Sequence, residues 1–186
     1  MTEFEKMVSG QLFNGSDGSV NKVREQATGL LQELNHNTSD AQRVDLFRRL
    51  LKRFGEASMI RSPFLCEFGQ IISIGDSTFI NMNVTMLDGA DITIGNHVLI
   101  GPNTQFYTAG HPLDYRSRRG WETTCLPIIV EDDVWIGGNV VINQGVTIGA
   151  RSVIAANSVV TRDVPPDSLY GGTPAKLIRH LTENDS

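Results

Sequence analysis

The sequence predicts a mainly β solenoid preceded by a helical segment, and two observations carry that prediction. Aliphatic residues recur six apart at Val130, Ile136, Ile142, Ile148, Ile154 and Val160. The period also changes, from helical spacing over residues 1–60 to hexads from Phe68 on. Six is neither the helical nor the strand period. It suits a short strand and a corner, wound so that one aliphatic per face points inward. Six consecutive hexads in register are improbable for an ordinary domain of short strands.

Residues 1–60 read as helical. Thr2 with Glu5 makes a capping box. Val20, Val23, Ala27, Leu30, Leu31 and Leu34 recur at helical spacing. The polar run Asn35-His36-Asn37-Thr38-Ser39-Asp40 interrupts, and Ser39 or Asp40 can cap the next helix. Val44, Phe47, Leu50, Leu51 and Phe54 form a second stripe, with Gly55 as its expected stop.

Residues 61–165 are the expected solenoid. Upstream of the cleanest stretch the hexads run through Phe68, Ile74, Ile80 and Met86, then Ile94, Ile100 and Phe106. Val134, Val140, Val146, Ser152, Ser158 and Val164 follow the later aliphatics four residues on. Gly75, Gly95, Gly101, Gly137, Asn143 and Gly149 fill the slot directly after an aliphatic. Gly and Asn fit corners because they tolerate positive φ, and small residues let coils approach closely. The repeat breaks twice. Between Met86 and Ile94 two extra residues lie near Asp88-Gly89. Between Phe106 and Val130 the hexad positions hold Pro112, Arg118 and Thr124, so the chain leaves the solenoid as a loop over 111–127. A long loop on a rigid scaffold is where function tends to sit. Pro165-Pro166 is read as the solenoid's end, and 166–186 as a tail with a short helix.

The bulk numbers exclude several classes. A chain of 186 residues with 40% hydrophobic and 20% charged residues buries a core without staples. A net charge of -5 argues against a nucleic-acid or anionic-membrane binder, so an anionic ligand needs a local basic cluster. Cys66 and Cys125 form no metal pattern and read as reduced thiols. The N-terminus shows no apolar signal core and no run reaches membrane length, which makes the cytoplasm the expected location.

Several motifs together resemble one family. They are Lys6-Met7-Val8-Ser9-Gly10-Gln11-Leu12-Phe13, Arg61-Ser62-Pro63-Phe64-Leu65-Cys66-Glu67-Phe68-Gly69, Tyr107-Thr108-Ala109-Gly110-His111-Pro112-Leu113-Asp114, Val134-Trp135-Ile136-Gly137-Gly138 and Gly171-Gly172-Thr173-Pro174-Ala175-Lys176-Leu177-Ile178-Arg179. They are similar to the hexapeptide-repeat acetyltransferases of the maltose and galactoside O-acetyltransferase type, over nearly the whole chain. The resemblance implies a left-handed parallel β-helix, an exception to the usual right-handed crossover. It also implies acetyl-CoA as co-substrate, no metal, a sugar or related hydroxylated acceptor, and a homotrimer with sites between neighbouring solenoids.

Acetyl transfer to a hydroxyl needs a base for the alcohol proton and donors for the oxyanion. Histidine suits the first task because its ordinary pKa lies near working pH. His36 and His180 read as surface residues and His97 as a solvent-facing strand residue. His111 opens the excursion loop and matches the family's catalytic histidine; Glu122 is a candidate for orienting it, or a solvated carboxylate. By resemblance, Asp17, Arg24, Glu67, Asn81 and Asp88 approach the acceptor, with Asn83 an alternative to Asn81. Asn81 also reads as a corner residue and Asp88 as a turn stabiliser. For coenzyme A the resemblance points to Trp135, Gly138, Ala156, Thr161, Arg162, Lys176 and Arg179. Gly138 and Ala156 leave room for a pantetheine arm, and the three cations suit phosphates. Some relatives carry Ser where this chain has Gly138; here the backbone amide must serve. Trp135 and Trp121 also read as interface aromatics. A γ-type carbonic anhydrase needs three histidine ligands, and only His97 and His111 lie within the repeats. A silent scaffold is disfavoured by the His111 loop and the basic tail.

Overall fold

The computed structural model describes residues 1–36, 39–120 and 122–182. Asn37, Thr38, Trp121 and the last four residues of the tail lie outside them.

Three helices precede the coils. Helix α1 (Glu3–Val8) starts at the Thr2/Glu5 capping box. Helix α2 (Gly18–Asn35) starts at Asp17, and α3 (Asp40–Leu50) at Ser39, whose box partner is Gln42. Val20, Ala27, Leu31 and Leu34 are buried on α2, and Leu46, Phe47 and Leu50 on α3. The ends of these helices satisfy their first amides with side chains, as short helices require. Phe47 meets Phe64 edge-on at 5.8 Å, so the helices close the open end of the first coil and share its core. Gly55 does not stop a helix. Helix α3 ends at Leu50, the first coil opens with strand Arg53–Phe54, and a Cβ on Gly55 would fall 2.1 Å from the Gly75 carbonyl oxygen.

The coils stack into three parallel sheets. One face holds Arg53–Phe54, Ile72–Ile74, Ile92–Ile94, Ile128–Val130 and Thr147–Ile148. The second holds Met59–Ile60, Phe79–Ile80, Leu99–Ile100, Trp135–Ile136, Val153–Ile154 and Ser168–Gly172. The third holds Phe64–Cys66, Val84–Leu87, Gln105–Tyr107, Val141–Asn143 and Val159–Val160. Each hexad aliphatic sits on its counterpart one coil away, as Ile100, Ile136 and Ile154 do. Val134, Val140, Val146, Ser152, Ser158 and Val164 are buried too, the two serines with hydroxyls bonded to the Pro165 and Ala155 carbonyls.

The corners divide two tasks that the sequence reading had merged. The glycines after each aliphatic serve close approach: a Cβ on Gly75 would lie 2.4 Å from the Gly95 carbonyl. Positive φ falls two residues later, at Ser77, His97, Asp133 and Arg151 on one corner and Asn83, Asn103, Asn139 and Asn157 on the next. His97 is therefore a corner residue with φ 55°, not a strand residue.

Three further expectations change. Cys66, not Phe68, stacks under Met86, and Phe68 packs outside the solenoid with Met7, Val20 and Ile71. The solenoid does not end at Pro165-Pro166, because Ser168–Gly172 pairs in parallel with Val153–Ile154. The tail's expected short helix is instead the strand Ala175–His180, folded back antiparallel on Ser168–Gly172. Gly171, Gly172 and Pro174 oppose a helix there, and the returning strand covers a sheet edge otherwise left open. The excursion is an antiparallel ribbon, Ala109–Gly110 with Thr124–Cys125, that carries a short helix, α4 (Tyr115–Arg119). Among the described residues no helix is long and apolar enough to cross a membrane.

Candidate active site

The site forms where successive coils carry more residues than a hexad allows, all at the corner between the third and first faces. Cys66 to Ile74 and Met86 to Ile94 are each eight-residue steps, whereas Ile142 to Ile148 is six. The third coil adds the whole ribbon at this corner. Placing Phe68 in the hexads had hidden the first of these insertions.

The three enlarged corners and the N-terminal segment enclose a cavity of about 290 Å³. Glu67 and Phe68 come from the first corner, Leu87 and Gly89 from the second, and Ala109, His111, Thr123 and Cys125 from the ribbon. Met7, Phe13, Gly15, Ser16 and Arg24 close the other side. Phe13 bridges to Thr123, which ties the N-terminal segment to the ribbon.

His111 Nδ1 lies 2.9 Å from the backbone carbonyl of Glu122. A carbonyl only accepts, so Nδ1 carries the proton and the lone pair of the neutral ring sits on Nε2. Glu122 thus orients the imidazole through its main chain rather than its carboxylate. Beside it, Arg24 Nε and Nη2 donate to one Glu67 oxygen at 2.9 and 2.8 Å. The guanidinium lies 5.4 Å over the Phe68 ring and also donates to Asn21. His111, Arg24 and Glu67 therefore share one cavity, and their residue types allow proton abstraction next to a hydrogen-bonding pair.

The other expected acceptor residues lie elsewhere. Asp88 is fully buried, and its two oxygens accept from the amides of Glu67, Phe68 and Gly69 at 2.7, 3.0 and 2.7 Å. Burial pushes its carboxyl up to about 6, against the pull of those amides. Asp17 caps α2, and the Ser19 hydroxyl and amide hold its carboxyl below the usual range. Asn81 accepts from the Met82 amide, and Asn83 donates to Asn103 at a corner with φ 62°. Burial raises the Cys125 thiol to about 11, which leaves it protonated and a weak nucleophile near neutral pH.

The residues expected at coenzyme A do not line this cavity. Trp135 is 56% exposed on the second face, in a row with Val153, Leu169 and Arg179 on successive strands. Gly138 and Ala156 occupy neighbouring coils at the next corner, where the Asn157 amide donates to the Gly138 carbonyl. Thr161, Arg162, Lys176 and Arg179 are exposed, the last two on the returning strand. Within one chain these groups form a second surface, separate from His111. Among the described residues no group of three metal-capable side chains clusters.

Sequence reasoning missed Met7, Phe13, Phe68, Leu87, Gly89, Thr123 and Cys125 as cavity walls. The Lys6–Phe13 and Arg61–Gly69 motifs held Met7, Phe13 and Phe68, and the insertion at Asp88-Gly89 marked Gly89; Leu87, Thr123 and Cys125 had no signal, since such residues outside a hexad look like ordinary packing.

Comparison with known proteins agrees with this architecture. Residues 6–55 match the family described as maltose acetyltransferase hexapeptide capping motif, and residues 127–162 the hexapeptide repeat of succinyl-transferase. The galactoside O-acetyltransferase of Escherichia coli K12 is 36% identical, over 97% of this chain and 90% of that protein. A hexapeptide-repeat acetyltransferase from Vibrio cholerae, solved with acetyl coenzyme A, is 62% identical with a TM-score of 0.94, covering 98% of this chain and all of that one. A maltose O-acetyltransferase from Clostridium difficile 630 is 37% identical with a TM-score of 0.96, over 98% of this chain and 99% of that one. With the capping segment, the coils and the ribbon all matched end to end, this chain belongs to the hexapeptide-repeat acetyltransferases, in the maltose and galactoside O-acetyltransferase family.

Proposed function

We propose that the protein moves an acetyl group from acetyl-CoA to a hydroxyl of a sugar or related acceptor, with His111 as general base. The observation that carries this reading is the imidazole held by the Glu122 carbonyl, its Nε2 free to take a proton at a cavity lined by the Arg24–Glu67 pair. Nε2 removes the hydroxyl proton as the acceptor oxygen attacks the thioester carbonyl. The imidazolium then gives the proton to the departing thiolate, so the base is restored each turn. Arg24 and Glu67 orient the acceptor's other hydroxyls. The acetyl donor's thioester supplies the activated acyl group. Gly138 and Ala156 leave room for its arm, the Gly138 amide is the donor assigned to the oxyanion, and Thr161, Arg162, Lys176 and Arg179 face its polar end.

His111 and those groups lie on separate surfaces of one chain, which supports a shared site. In this reading three copies assemble, and each cleft takes His111 from one chain and the coenzyme A groove from another. The outward side chains of Met59, Leu99 and Trp135, stacked on one face and about half exposed, suit such an interface. The assembly works in the cytoplasm. Thioester release measured with a panel of hydroxylated acceptors tests the proposal. Release that rises with a sugar hydroxyl supports it; release with amines alone, or with no acceptor at all, overturns it.

A further inference from the structure

The acceptor cavity is built on one corner of three consecutive coils, and two buried side chains tie those coils together. From the second coil, the Asp88 carboxylate reaches back to the amides of Glu67, Phe68 and Gly69. From the third, the Thr108 hydroxyl accepts from the amides of Gly89 and Ala90 at 2.8 and 3.1 Å and donates to the Leu87 carbonyl at 2.6 Å. Both residues are fully buried. Thr108 directly precedes the ribbon strand Ala109–Gly110, and His111 follows that strand. Glu67, at the other end, holds Arg24.

We infer that Asp88 and Thr108 are positioning residues that set the distance between the base and the Arg24–Glu67 pair. The inference rests on the function proposed above. A continuous run of hydrogen bonds leads from the His111 strand through Thr108, the 87–90 corner and Asp88 to the 67–69 corner. The corner needs this because its extra residues have left the hexad register, so the regular coil-to-coil ladder no longer fixes them. A carboxylate is required at 88: three amide donors converge on it, and a carboxamide would turn an NH₂ toward at least one of them. Neither side chain touches the acceptor; each acts through the backbone it holds.

The test uses the full-length protein and four single variants, Asp88→Asn, Thr108→Val, Thr108→Ser and Glu67→Gln. Asp88→Asn and Thr108→Val are expected to raise the acceptor KM about tenfold, with kcat and the acetyl-CoA KM within about twofold of wild type. Thr108→Ser, which keeps the hydroxyl, restores the wild-type acceptor KM. Asp88→Asn placed on Glu67→Gln adds nothing further, because both act through the same carboxylate. A folded Asp88→Asn or Thr108→Val with an unchanged acceptor KM, or fully additive effects of Asp88→Asn and Glu67→Gln, overturns the inference. If Asp88→Asn does not fold, the Thr108 pair decides alone. Crystal structures of the variants read the same question without turnover: the separation between His111 and the Arg24–Glu67 pair should change, and an unchanged separation overturns the positioning role. Should the wild type acetylate no hydroxyl, the proposed function fails while the crystal arm still judges this one.

Discussion

The first and last coils of one solenoid differ in a way that explains where the chemistry sits. Ile74 stacks on Ile94, 20 residues on, whereas Val130 stacks on Ile148, 18 residues on. The short coils are all hexads, and their corners are filled by backbone ladders and asparagine pairs such as Asn139 with Asn157. The long coils spend their two extra residues at one corner, where Glu67, Phe68, Leu87 and Gly89 open a cavity. A repeat that satisfies itself offers a surface but no concavity. Broken at the same corner in successive coils, it makes a pocket, which must then be held by side chains such as Asp88 and Thr108.

The sharpest test of this division removes the base from the irregular corner. His111→Ala should lower kcat about 10²–10⁴-fold with the melting temperature unchanged, because the exposed imidazole supports only its own loop. Near-wild-type turnover would remove His111 from the mechanism. Mixing tests whether the regular half contributes from another chain. His111→Ala and Trp135→Ala, each inactive alone, should partly restore activity when their subunits are exchanged, since some clefts receive both intact halves. A fully active monomer by sedimentation would overturn the shared cleft.

The next effect is thermodynamic. Asp88 holds its proton up to about pH 6 in the fold but releases it near the ordinary carboxylate value when unfolded. Between those values the folded state binds more protons, so rising pH favours unfolding. Against Asp88→Asn, the wild type should lose about 2 kcal/mol of stability from pH 4 to pH 7. Denaturant unfolding at several pH values checks this, and a difference that stays flat would refute it. The smallest effect belongs to the exposed surface: Arg179→Ala should raise the acetyl-CoA KM about fivefold at low salt and less at high salt. An unchanged KM at low salt would refute the assignment.

Much of the fold was legible because its signals are periodic. The hexads from Val130 to Val160 repeat one inward aliphatic every six residues, with a second buried side chain four residues on, and no other period explains them. The capping box at Thr2 was legible, and the next cap was narrowed to Ser39 or Asp40, because a cap is a local contact spanning three residues; that Gln42 completes a box at Ser39 was not read from the sequence. The tail was misjudged for the opposite reason. Whether Ala175–His180 becomes helix or strand depends on the open edge of Ser168–Gly172, which no local pattern reveals. Phe68 was misplaced because it stands six residues before Ile74, where the hexad expects an apolar side chain, while Cys66 stands eight before it; only stacking under Met86 shows that Cys66 holds the inward position.

His111 was singled out by its loop and its motif, and Arg24 and Glu67 by resemblance. Their shared cavity is tertiary, since 43 residues separate that pair in the chain. Glu122 was named for its carboxylate, while its carbonyl makes the contact; side-chain chemistry is written in the sequence, but main-chain direction is set by the ribbon's pairing. Composition, period and caps, each read within a few residues, were enough to determine a capped solenoid with one long excursion. Which atoms face one another across its enlarged corner was decided only by stacking, because that geometry depends on contacts between coils about twenty residues apart.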